Sequence, residues 1–96
     1  MGPAFAAERF VRRVNKLTQE NRHFGSVQKF VVTLYGSLAA TGKGHLTDVA
    51  INNILRPLAE TEIVWRADKF LSFHPNGMNF KAFGNQGVLI DDWTIF

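Results

Sequence analysis

No cysteine occurs anywhere in the 96 residues. A disulfide scaffold, a thiolate zinc site, a cysteine nucleophile and any cluster-ligating thiolate supplied by this chain are therefore excluded. Long apolar runs are missing too: no stretch approaches the ~18 residues needed to span a bilayer, so no membrane partner is expected. Nor is there a secretory segment, which makes the cytoplasm the expected compartment. Charge of one sign is in short supply. Eleven Lys and Arg against eight Asp and Glu leave a net charge of only +3. The one basic cluster, Arg9, Arg12, Arg13 and Lys16, falls at helical spacing and reads as the solvated face of an amphipathic helix, not as a stripe that tracks nucleic acid. What the chain does hold is apolar material. It is 46% hydrophobic and carries nine Phe and two Trp, enough to build a core. A chain of this length buries roughly 60–68% of its extended surface, and one domain over residues 1–96 is expected.

Residues 3–22 read as a helix, because Ala7, Phe10, Val11, Val14 and Leu17 recur at three- and four-residue steps and Pro3 suits a first turn. Val27 to Tyr35 is β-branched and aromatic and reads as a strand. A second helix is expected from Thr47, with Thr47 or Asp48 as its cap and Pro57 near its end. The last third reads as extended. Lys69–His74, Met78–Phe83 and Val88–Phe96 are β-rich runs separated by Pro75-Asn76-Gly77 and Gly84-Asn85-Gln86-Gly87, which predicts a meander. Ile63, Val64 and Trp65 suggest a short strand before it, although Leu58–Arg66 also reads as helix. The sum is an α+β fold, with two helices packed on one face of a mostly antiparallel sheet. A strand that runs straight into Phe96 and a helix that begins almost at residue 1 lead to the expectation of a segment cut from a longer protein.

Chemistry concentrates between Tyr35 and His45, in Tyr-Gly-Ser-Leu-Ala-Ala-Thr-Gly-Lys-Gly-His. A nucleotide phosphate loop is excluded: five residues separate Gly36 from Gly42 where that loop has four, and Gly44 stands where it needs Ser or Thr. What remains is a glycine-bracketed Lys43 and a His45 ahead of a helix N-terminus, offering backbone N–H groups, a fixed positive charge and a titratable imidazole to an anion such as a carboxylate. The plainer alternative is a tight turn at Gly42 and Gly44 with Lys43 and His45 in water. His23 and His74 read as loop and strand-end residues. Three dispersed His without Cys match no metal-ligand spacing. Asp91 and Asp92, adjacent on a strand, face opposite sides and do not form an acid–base pair. Ser37 and Ser72 lack the context of a nucleophile.

Leu34-Tyr35-Gly36-Ser37-Leu38-Ala39, Thr41-Gly42-Lys43-Gly44-His45 and Thr47-Asp48 together resemble the signature of the β domain of bacterial iron–sulfur-dependent L-serine dehydratases, also called L-serine ammonia-lyases. His74-Pro75-Asn76-Gly77-Met78 and Trp93-Thr94 resemble that domain's hairpin region, and Met1-Gly2-Pro3 with Ala6-Ala7 and Phe10 its first helix. The sequence departs from the family in three places. It lacks the Ser-Ser-His-Thr stretch before the Gly-Pro pair and the glycine-rich segment that follows the last strand, and Leu46 stands where Gly is frequent.

The resemblance implies a fold similar to the allosteric substrate-binding domain of some D-3-phosphoglycerate dehydrogenases. It implies a partner α domain or chain whose cysteines hold a four-iron four-sulfur cluster, with none bound by this chain, and a reaction that converts L-serine into pyruvate and ammonia by β-elimination. The free iron then acts as Lewis acid on the hydroxyl while a base removes the α-proton. By position, the resemblance implies His45 as that base, Lys43 with the backbone of Gly42 and Gly44 as the carboxylate clamp, and Ser37 and Thr41 as hydroxyl donors. The chain alone is expected to be inactive. Two other readings stay open: a regulatory domain that binds serine or another anion without catalysis, and a structural domain that docks the α domain or a second copy of itself through an exposed aromatic patch of Trp65, Phe70, Phe73 or Trp93.

Overall fold

A computed structural model describes residues 2–36, 44–66 and 77–96, with the backbone alone at 44 and 45. Helix α1 spans Pro3–Glu20. Proline at its start needs no hydrogen bond there, since the first-turn N–H groups have no intrahelical partner. Ala6, Ala7, Phe10 and Val14 form its buried stripe. The helix stops at Asn21, two residues sooner than its periodicity suggests, because Asn21 takes an extended conformation and its side-chain oxygen accepts the His23 N–H at 3.2 Å. A 3₁₀ turn over Arg22–Phe24 leads to strand β1, Lys29–Tyr35. Helix α2 is Gly44–Leu55, β2 is Glu60–Arg66, β3 is Met78–Phe83 and β4 is Leu89–Ile95.

The strands form one sheet in the order β2-β1-β3-β4. β1 pairs in parallel with β2, and the other two pairings are antiparallel. The sheet is therefore mixed and mostly antiparallel, and with the two helices it makes the expected α+β fold. Alternation along β1 sends Phe30, Val32 and Leu34 into the core, where they meet Met78, Phe80 and Ala82 of β3 and the helix residues Phe10, Ile51 and Leu55. Phe10 is the hub: its ring lies 5.3 Å from Phe80 and 6.2 Å from Phe30, and stacks on Trp93 at 6.3 Å with 3° between planes. The Arg13 guanidinium covers Trp93 at 4.9 Å and binds Asp91 through two bonds of 2.8 and 3.2 Å, so α1 is fastened to β4 by rings and charge together.

Three expectations change. α2 begins at Gly44, so Thr47 and Asp48 lie inside the helix and neither caps it. The buried stripe Thr47, Ile51, Leu55 at four-residue steps explains why, since tertiary packing overrides the low helix propensity of a glycine start. Glu60–Arg66 is a strand, longer than the short one suggested at Ile63, Val64 and Trp65, and it pairs with β1 in parallel, which makes the sheet mixed. The aromatic patch is not assembled from the tryptophans: Trp65 and Trp93 sit on β2 and β4, at opposite edges of the sheet, and Trp93 is stacked under α1. Phe70, Phe73 and the run Lys69–His74 lie outside the described residues. The hairpin of β3 and β4 forms as read, with a register shift at Ala82/Phe83 that turns Ile90 into the core.

Candidate functional site

Parallel strands end on the same side of a sheet, and crevices at those carboxyl ends are where ligands bind in open α/β arrangements. Here β1 ends at Tyr35, β2 at Arg66, and β3 begins beside them. Gly36, buried and at φ 60°, donates its N–H to the Arg66 carbonyl at 3.2 Å. The Tyr35 N–H donates to the Gly77 carbonyl at 3.0 Å. Three strand ends are thus joined by backbone hydrogen bonds. Gly36 is the residue for which the left-handed conformation costs nothing, and a side chain there would cost about 1–2 kcal/mol. The residues flanking 37–43 and 67–76 at the strand side, Gly36, Arg66 and Gly77, all belong to this one edge.

Of the site residues expected from the sequence, Ser37, Thr41, Gly42 and Lys43 lie outside the described residues, as does His74. Gly44 and His45 are the first two residues of α2. His45 is therefore within the first helical turn and not ahead of it, where the unpaired N–H groups of the helix start give partial positive charge. His23 belongs to the 3₁₀ turn at the other end of the sheet, where it lines a shallow cavity with Asn85, Gln86 and Val88. His23 therefore lies at the opposite end of the sheet from Gly36, Arg66 and Gly77. Asp91 and Asp92 face opposite sides as expected: Asp91 holds Arg13, and Asp92 accepts from Asn79 at 2.7 Å on the sheet face away from the helices. Among the described residues no group of three or more His, Asp or Glu is arranged to hold a metal ion, and no helix is long and apolar enough to cross a membrane.

One feature of α2 escaped the sequence reading. Asp48 Oδ1 and Asn52 Oδ1 are buried and have no hydrogen-bond partner. They stand three and seven residues after His45, on one face of the helix. The spacing was legible, but reading Asp48 as a cap concealed it.

Charges cluster at the far end of β1. Lys29 Nζ lies 3.2 Å from Glu62 and 3.7 Å from Glu60, and the hydrogen bond and charge of Glu62 raise the lysine's pKa above 10.5.

Comparison with known proteins agrees with the part of the molecule that builds this edge. The family model described as serine dehydratase beta chain matches residues 1–57, which take in α1, β1 and α2. The L-serine dehydratases of Mycobacterium bovis (strain ATCC BAA-935 / AF2122/97) and Mycobacterium tuberculosis (strain CDC 1551 / Oshkosh) are each 30% identical over 129 aligned residues, covering 100% of this chain and 27% of theirs. The chain thus spans about a quarter of the length of these relatives, which are also longer than it within the matched region.

Proposed function

We propose, since this chain belongs to the serine dehydratase beta chain family, that it is the β domain of an L-serine dehydratase and supplies the base and the carboxylate clamp for turning L-serine into pyruvate and ammonia. The observation that supports this reading most directly is the placement of His45 in the first turn of α2, on the connection that leaves the β1/β2 edge at Gly36. In the proposed mechanism, Lys43 and the backbone N–H groups of Gly42 and Gly44 bind the substrate carboxylate, aided by the positive helix start. His45 takes the α-proton, and Ser37 and Thr41 offer hydroxyl donors beside it. Loss of the α-proton and the β-hydroxyl leaves aminoacrylate, whose hydrolysis gives pyruvate and ammonia.

A four-iron four-sulfur cluster does not fit this chain's donor set. The chain has no cysteine, and no metal-holding group of His, Asp or Glu occurs among the described residues. We assign the cluster to a partner α domain or chain, in the cytoplasm. The chain alone is then without lyase activity, since a single general base supplies roughly 10²–10⁴-fold. The test replaces His45 by Asn in the complete, cluster-loaded enzyme and follows pyruvate formation from L-serine. A fall of about 10²-fold or more in kcat supports the base. A raised KM at unchanged kcat makes His45 a binding residue. No change in either leaves His45 a helix-start residue without a part in the reaction and favours a regulatory anion site.

A further inference from the structure

We infer that the end of the sheet where β1 finishes is the docking face for the partner α domain, which seats on a rim of exposed apolar side chains: Phe5, Leu46, Val49, Trp65 and Phe96. The inference rests on the reading of this chain as the β domain of an L-serine dehydratase and adds to it the surface on which the rest of the enzyme sits. It starts from where the exposed apolar side chains fall. Single ones scattered over a surface are normal and need no explanation. Here they are not scattered. Seven large hydrophobic side chains are exposed among the described residues, and these five, 38 to 74% exposed, share one end. The topology puts them there. α1 delivers the chain to the start of β1 and α2 delivers it to the start of β2, so both helices run opposite to these parallel strands and begin at the end where the strands finish. Contacts fix the sense for α1: Phe10 stacks on Trp93 and Arg13 holds Asp91, so the helix descends β4 from its end toward its start. Phe5 lies in the first turn of α1, and Leu46 and Val49 lie in the first two turns of α2. Trp65 is one residue from the end of β2 and pairs with Leu34. Phe96 follows Ile95, which pairs with Met78, the other neighbour of Leu34. Leu58 and Leu89, the remaining two, sit at the opposite end, just before β2 and at the start of β4.

The occupant follows from two further points. The match takes in 27% of the L-serine dehydratases aligned with this chain, so such an enzyme has ample chain left to seat a domain on this end. A second copy is the poorer fit. In a two-fold dimer the same patch meets itself, which would close both candidate sites against each other. The proposed reaction instead requires the α domain to meet His45, which lies in the first turn of α2 at this same end. Apolar contacts around the strand ends would also keep water out of the site between the two domains.

Hydroxyl-radical footprinting of side chains tests this, in the complete enzyme and in the 96-residue chain. In the chain, all seven exposed apolar side chains should be labelled. In the complete enzyme, labelling of Phe5, Leu46, Val49, Trp65 and Phe96 should be lost, while Leu58 and Leu89 keep theirs. Leu46→Asp combined with Val49→Asp, at positions whose exposure spares the fold, should restore labelling of Phe5 and Phe96, and Leu58→Asp should not. Retained labelling of the five in the unaltered enzyme overturns the inference, as does loss at Leu58 and Leu89 in their place. Loss already present in the 96-residue chain, at the mass of a dimer, makes a second copy the occupant and overturns it as well. The docking face and the catalytic reading fail separately. A covered rim beside a fully active His45→Asn enzyme keeps the face and sinks the base, and an exposed rim beside an inactive one keeps the base and sinks the face.

Discussion

The two ends of the sheet are closed by different means. At the end where β1 starts, the chain is pressed together. A Cβ built on Gly84 would stand 2.3 Å from the Phe24 carbonyl oxygen, and one on Gly25 would stand 2.5 Å from the Asn85 side chain. Gln28 N–H bonds the Phe83 carbonyl at 2.8 Å, and Lys29 reaches Glu60 and Glu62 beside it. At the other end, three strand ends meet through backbone bonds at Gly36 and Gly77. The first end spends its side chains on holding the chain together. The second is joined by backbone hydrogen bonds that run from the Tyr35 and Gly36 N–H groups to the Gly77 and Arg66 carbonyls. The comparison teaches that glycine has opposite uses in one small fold: at Gly84 it admits a neighbouring backbone, and at Gly36 it turns the chain out of the sheet.

The widest test of the comparison is whether both ends depend on one core. Phe10→Ala removes the ring that Phe30, Phe80 and Trp93 share and should cost about 3–5 kcal/mol, with protection against hydrogen exchange falling together in β1, β3 and β4. Loss confined to one strand would break the idea of a common hub. Next, Gly84→Ala forces a side chain against backbone that has little room to yield. A destabilisation of about 1–3 kcal/mol is expected in urea unfolding, with binding of L-serine by the folded complete enzyme unaffected. Gly36→Ala should cost about 1–2 kcal/mol for its left-handed backbone and, unlike Gly84→Ala, should also raise KM for L-serine. Equal effects of the two alanines on KM would erase the distinction between the ends. The smallest effect belongs to Lys29. Its pKa is raised in the folded state, so its contribution is fully present below the unfolded value of 10.5 and fades as pH rises through the folded one. The melting temperature of Lys29→Met should lie slightly below that of the unaltered chain near neutrality, and the gap should close in strong alkali.

What the sequence made legible follows from the range of the interactions involved. α1, β1 and the β3–β4 hairpin were readable because their stripes, alternation and turn residues are local. β2 was readable only in part, at Ile63, Val64 and Trp65: Glu60 and Glu62 obscure its alternation, and its full extent follows from its pairing with a strand far back in the chain. The start of α2 was missed for a related reason. Gly42 and Gly44 signal a loop by propensity, while the burial of Thr47 against the core carries the helix back to Gly44. The motif around His45 could be recognised as a string of residues. Its relation to Arg66 and Gly77 could not, because that depends on the parallel crossover, and Asp48 looked like a cap as long as the helix was thought to begin there.

The central position of β1 bears on how the molecule comes into being. Lys29 is bordered by Glu60 on one side and by Phe83 on the other, so the middle of the sheet is synthesised first and receives both neighbours later. A nascent chain that has just delivered the last residue of the family match, Pro57, holds two helical segments and a strand with no strand to join. The stretch that identifies the family therefore contains only one of the four strands of the sheet. Assembly has to wait for the final third of the chain, and the long-range pairings that complete it should make folding slow compared with a helical bundle of equal length.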